Sequence, residues 1–215
     1  MNTDQQSEIL SRVLLLSGFD EISPYIHRAL IPVGDCQTLG AGERILEPAG
    51  ICEAFYVRVW DKWKRTAVPV AITSLMMMLW TVSIDDISLA AAQNDGAEAE
   101  ITPTISPHMV PSDPRIRILA SPRSFIVSNT VHQLGASAIL TENTQRILRA
   151  RLPTGFIIMP VSIHEVMVIG DRSPNTIDVL RDMLRANNSR PGRETSHPRL
   201  SDDLMELRDG RLYII

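Results

Sequence analysis

Three features of the sequence predict an α+β fold, with a mixed or antiparallel sheet in a helix-packed C-terminal half and a helical N-terminal part. Short β-branched runs in the second half (SFIVSN, FIIMPVS, HEVMVIG) read as strands. Segments of helical period, several opened by a Ser or Thr cap, stand before and between them. Prolines at 103, 107, 111 and 114 separate the two halves. With 44% hydrophobic residues in 215, the chain has enough apolar side chain for a core without a metal or disulfide staple. The expected layout is a helical part with a short strand over 1–100, a proline-rich connection over 101–114 and an α+β part over 115–215; one continuous domain is the alternative.

In the first half, Ile9, Leu10, Val13, Leu14 and Leu16 fall on one side of a helix over 5–16, which Gly18 ends. A strand is expected near 29–33. Pro48 is expected to open a helix in which Ile51, Ala54, Phe55 and Val59 repeat at three and four. In the uncharged run TAVPVAITSLMMMLWTVSI (66–84), VPVAIT reads as a buried strand and SLMMMLW as a short capped helix. Met76 to Met78 point three ways on a helix and read as core filler. Ser83 and Asp86 form a short-armed capping box for the next helix, whose buried stripe is Ile84, Ile87, Ala90 and Ala91 and whose stop is Asn94-Asp95-Gly96. The four prolines after it require an extended piece that cannot lie inside a central strand.

In the second half, RIRILA, SFIVSN and GASAIL are expected as strands, 141–151 as a helix, and FIIMPVS and HEVMVIG as a strand pair. Ser173 caps a helix with Pro174 at its first position, ended by Asn187 and Asn188. LMEL and RLYII form a hairpin around Asp209 and Gly210. Arg146, Arg149 and Arg151 read as a solvated helix face before any phosphate or nucleic-acid contact.

Cys36 and Cys52 are the only cysteines, and their surroundings lack the Cys/His spacing of a zinc site, so two reduced thiols and no metal or cofactor are expected. Asp4, Glu8 and Arg12 precede the first apolar run, unlike a secretory signal, and a cytoplasmic location is expected. The run 66–84 is long enough for a single membrane span flanked by Lys62, Lys64 and Arg65, but a core strand and helix explain the same letters and are the preferred reading. The net charge of −4 gives no basic footprint for nucleic acid.

The richest chemistry lies at Ser162, His164 and Glu165, a hydroxyl, an imidazole and a carboxylate where one strand bends into another. Strand alternation pairs Ser162 with His164 and leaves Glu165 on the other face. A zinc-protease reading needs a histidine at 168, where Val168 stands. The alternative is a histidine that satisfies local backbone groups. In SNTVHQLGASAIL, Asn129 and Gly135 suit a left-handed connection that carries His132. If the two strand ends are adjacent, Asn129, His132, Ser162 and His164 make a polar cluster able to hold a small ligand or a partner.

These segments resemble those of a family of uncharacterised bacterial proteins, a domain of unknown function common in gut anaerobes. The resemblance is carried, in order, by ILEPAGICEAFY, VAITSLMMMLWTVSIDDISLAAAQN, FIVSNTVHQLGASAIL, FIIMPVSIHEVMVI and LSDDLMELRDGRLYII, with the Pro and Ser-Ile-His-Glu-Val block the most specific. The stretch between Trp63 and Val70 is shorter here than in such proteins. The resemblance implies a cytoplasmic α+β protein and argues against the membrane span.

With no nucleophile and placed base, no metal set and no phosphate loop in the sequence, the expectation is a non-enzymatic accessory or regulatory protein of a bacterium or its mobile elements. It would bind another protein or a small ligand, with nucleic acid and membrane disfavoured as partners. The rival is a hydrolase or transferase in which His164 is the general base and Ser162 or Asn129 positions substrate. A single-span membrane protein is the second alternative.

Overall fold

The structure, a computed structural model, describes residues 17–36, 43–46, 50–61, 66–104, 118–119, 121–189 and 198–215. In chain order the elements are α1 (Phe19–Ile22), a 3-10 turn (Ser23–Tyr25), β1 (Ile26–Pro32), α2 (Val33–Cys36), β2 (Glu43–Leu46), β3 (Ile51–Asp61), β4 (Thr66–Ala71), α3 (Ser74–Trp80), α4 (Ile84–Glu98) and β5 (Ala99–Pro103). There follow β6 (Ser124–Asn129), a 3-10 helix (Gly135–Leu140), α5 (Glu142–Arg151), β7 (Ile157–Pro160), β8 (Val166–Ile169), α6 (Pro174–Asn188), β9 (Met205–Arg208) and β10 (Arg211–Ile214). The α+β class expected from sequence is what the chain adopts. The helix expected over 5–16 lies outside the described residues.

Two antiparallel sheets organise the fold. In the first, the long β3 pairs with β1 along one edge, and with β2 and then β4 along the other. The second has six strands in the order β10-β9-β7-β8-β6-β5. Its two faces follow the strand period of two. Ile157, Met159 and Ile169 pack with Leu180 and Leu184 of α6, whereas Ile158, Val166, Val168, Val127 and Phe125 pack with Ile139 and with Leu148 of α5. Leu30 and Ile51 of the first sheet belong to that same apolar cluster, so one core runs between the sheets. Fully burying a side chain such as Leu180 contributes about 1.5–3 kcal/mol.

The helix expected after Pro48 is instead β3. Every residue from 51 to 57 is buried, so both faces of the strand carry apolar side chains and the period of two is erased. The three-and-four spacing of Ile51, Ala54 and Phe55 was then coincidental, while the β-branched and aromatic content was the better signal. GASAIL, expected as a strand, is the 3-10 helix; its small side chains let the backbone press onto the sheet. In RIRILA, Ile118 and Leu119 are helical and the remainder lies outside the described residues.

Helix α4 does not stop at Asn94-Asp95-Gly96 but runs to Glu98. Tertiary partners hold the polar residues inside it: Asn94 Nδ2 donates to the Ser23 and Ile26 carbonyls at 2.8 and 2.7 Å. Its start is as read, with Asp86 N–H donating to Ser83 Oγ at 3.2 Å and Ser83 N–H to Asp86 Oδ2 at 2.8 Å. The caps at Thr73, Thr141 and Ser173 all accept from the third residue beyond them. Pro103 ends β5 on the edge of the six-stranded sheet, where a missing N–H costs nothing.

The uncharged run 66–84 folds as β4, α3 and the first residue of α4. Among the described residues no single helix is long and apolar enough to cross a membrane; α3 and α4 meet the length and hydropathy test only as a pair bent by 94°. Met76 and Trp80 face the core, and Leu75, Met78 and Leu79 stand exposed on the other side of α3.

Cys52, expected as a reduced thiol, is fully buried and disulfide-bonded. Sequence separation hid the fold-back in which Val33 N–H donates to the Gly50 carbonyl and the segment after β1 returns to the start of β3.

Candidate functional site

The turn between β6 and the 3-10 helix packs directly onto the turn between β7 and β8, so the two strand ends are adjacent. Gly135 is the contact point: a Cβ there would stand 2.5 Å from Ser128 Oγ, 2.6 Å from Asn129 N and 2.8 Å from the His164 carbonyl oxygen. Only a residue without a side chain permits that approach. Before it the backbone takes positive φ at His132 (51°) and Leu134 (54°), conformations that cost a non-glycine residue of order 1 kcal/mol each and persist only when their surroundings impose them.

The surroundings impose them through side chains that bond to backbone. Asn129 Nδ2 donates to the Gln133 carbonyl at 2.8 Å, and Gln133 N–H returns a bond to Asn129 Oδ1 at 3.1 Å. Leu134 N–H donates to His164 Nδ1 at 3.0 Å. Ser128 Oγ donates to the His164 carbonyl at 2.8 Å. Ser162 Oγ accepts the His164 N–H at 3.1 Å, and Ser162 N–H donates to the Glu165 carbonyl at 3.1 Å, closing the turn between β7 and β8. With Nδ1 accepting, a neutral His164 ring carries its proton on Nε2.

Of the expected residues, Asn129, Ser162 and His164 are brought together. His132 is not part of the lock: its side chain is 70% exposed and its Nε2 lies 4.0 Å from Glu100 Oε2. Glu165 contributes its carbonyl. The Ser162 hydroxyl bonds to the His164 main chain, while the imidazole turns to Leu134, so hydroxyl and ring do not form the pair that strand alternation suggested. Chemically, the corner joins two turns. Among the described residues, no group of three or more His, Cys, Asp and Glu is arranged to hold a metal ion.

A second polar cluster went unrecognised in the sequence. His27 and Arg28 on β1, Glu53 and Tyr56 on β3 and Asp95 on α4 are all buried. The His27 ring Nδ1 and Asp95 Oδ1 are 3.0 Å apart. Arg28 N–H donates to Asp95 Oδ2 at 3.2 Å, and Arg28 Nη1 lies 2.7 Å from Glu53 Oε1. Next to it, Arg58 Nη1 lies 2.5 Å from Glu98 Oε2. Burial pushes the Tyr56 phenol up to about 12, with Arg58 pulling the other way through a hydrogen bond. One signal was available: Asp95 continues the stripe Ile87, Ala91 at intervals of four, which places a carboxylate on the buried face of α4. The cluster also reaches the first site, since Ser137 Oγ in the 3-10 helix donates to the Arg28 carbonyl at 2.8 Å.

The model of a family of unknown function, DUF5688, matches residues 52–204, more than half of the chain and inclusive of the His164 corner and Asp95. No curated protein and no solved structure matches the chain.

Proposed function

We propose that this chain, which belongs to the DUF5688 family of unknown function, is a non-enzymatic accessory or regulatory module of a bacterium or its mobile elements that binds another protein or a small ligand. The observation that carries the reading is the use made of the His164 corner. Its imidazole Nδ1 and the Ser162 hydroxyl are committed to backbone N–H groups. A general base needs a lone pair within reach of the proton it removes, and a nucleophilic serine needs that base beside its hydroxyl. Side chains spent in this way hold a surface in shape.

The test is the double variant His164→Ala, Glu165→Gln in the full chain, measured by thermal melting and by affinity purification from the host with mass spectrometry. Loss of melting temperature at least in step with any loss of capture is expected. Unchanged melting with abolished capture or activity would overturn the reading in favour of a chemical role for His164.

A cytoplasmic location is part of the same proposal, supported by the sequence resemblance. The bonded state of Cys52 weighs on the other side, because disulfides persist in oxidising compartments. Fractionation of host cells with immunodetection of the full chain decides it: recovery in the cytosolic fraction is the expected result, and recovery outside it overturns the compartment.

A further inference from the structure

Strands β7 and β9 share one pair, Ile158 with Met205. Continuing that antiparallel register would set Ile157 against Glu206, Phe156 against Leu207 and Gly155 against Arg208, but the strands separate there. The gap is a cleft of about 220 Å³, with Phe156 and Leu152 as its apolar wall and Arg149, Arg172, Glu206 and Arg208 as its charged lining. Glu206 is 4% exposed. Arg172 Nη2 lies 2.7 Å from its Oε2, and Arg208 pairs with its other oxygen. Gly155, at φ 89°, leaves the space that Arg172 occupies: a Cβ there would stand 2.9 Å from Arg172 Nη1.

Three guanidiniums against one carboxylate leave two positive charges in excess, on a chain whose net charge is −4. The three come from separate elements: the last turn of α5, the segment after β8, and β9. Glu206 anchors two of the planar forks from below, and the Arg172 and Arg208 side chains remain 44% and 64% exposed at the opening. Arginines that converge from several directions suit the tetrahedral oxygens of a phosphate, which accept donors from more directions than the coplanar oxygens of a carboxylate do. The volume lies below the roughly 300 Å³ at which pockets for drug-sized ligands begin.

We propose that this cleft binds a phosphate dianion, free or carried by a small phosphomonoester. The inference is independent of the His164 corner. Titration calorimetry of the full chain at low ionic strength, with inorganic phosphate, glycerol 3-phosphate, succinate and chloride as probes, tests it. Binding of inorganic phosphate or glycerol 3-phosphate is expected, with succinate and chloride weaker; the tighter of the two phosphates identifies the source. Arg149→Gln with Arg208→Gln should weaken that binding about tenfold or more, the loss expected for charged hydrogen bonds. This double variant keeps the Arg172 to Glu206 pair, and its melting temperature reports its folding. Arg181→Gln with Arg185→Gln, on α6 and outside the cleft lining, makes the same change in net charge and should stay within about twofold of the unmodified chain. Absence of phosphate binding, equal binding of succinate or chloride, or equal losses in the two double variants overturns the assignment.

Discussion

His164 and Leu134, thirty residues apart, are joined by a hydrogen bond from the Leu134 N–H to the imidazole Nδ1 at 3.0 Å. Leu134 sits at φ 54° immediately before the 3-10 helix, so the ring fixes a strained backbone position on a neighbouring turn.

Removing the ring acceptor therefore acts on stability. His164→Ala leaves the Leu134 N–H without this partner and should cost about 2 kcal/mol. His164→Asn, which keeps a side-chain acceptor, should recover part of that loss. Urea unfolding of the two variants checks the order.

At Gly135 the expected cost is steric. Gly135→Ala drives a methyl into the Asn129 nitrogen and the His164 carbonyl oxygen, both backbone atoms. The destabilisation should reach about 3 kcal/mol, in the range of overpacked cores. An unchanged unfolding midpoint would show that the two turns are not held in contact.

The buried cluster predicts a contrast between two aspartates. Asp95→Ala removes the partner of the His27 ring and of the Arg28 N–H among groups that are nearly inaccessible, and should cost about 3 kcal/mol or more. Asp202→Ala breaks an exposed pair with Arg199 and should stay within about 1 kcal/mol of the unmodified chain. Parallel thermal melts of the two variants make the comparison.

Tyr56 sets the alkaline behaviour. Its folded value of about 12 lies above the ordinary 10.0. The stabilisation from this group is therefore fully present below pH 10 and is lost as the pH rises toward 12. In a phenolate absorbance titration, the unmodified chain should show an ionisation near 12 that Tyr56→Phe lacks, and that variant should lose the matching share of the alkaline destabilisation. Identical alkaline titrations of the unmodified chain and of Tyr56→Phe in the region near 12 would contradict the burial.

Much of the fold was legible where local chemistry decides it. The caps at Thr73, Ser83, Thr141 and Ser173, the Asp209-Gly210 turn and the edge position of Pro103 each follow from side chains acting within a few residues. What stayed hidden depends on distant partners. β3 read as a helix because burial on both faces removed its alternation. α4 continued past Asn94 and Asp95 because the Ser23 and Ile26 carbonyls, His27 and Arg28 receive those side chains. At the candidate site, the residue types could be anticipated, whereas the adjacency of Asn129 and His164 was only a condition that the sequence left open. The direction of the imidazole could not be anticipated, because it is set by Leu134, a residue with no polar side chain to announce it. Arg149 read as a solvated helix face, and only the separation of β7 from β9 places it beside Arg172 and Arg208.

Amide hydrogen exchange at Leu134 tests most directly whether His164 serves as a clamp. In the unmodified chain the Leu134 amide should exchange slowly. In His164→Ala it should accelerate strongly, while the amides of β6 and β8 keep their protection. A Leu134 amide that exchanges equally fast with and without the imidazole would contradict the structural role given to His164 and reopen a chemical one.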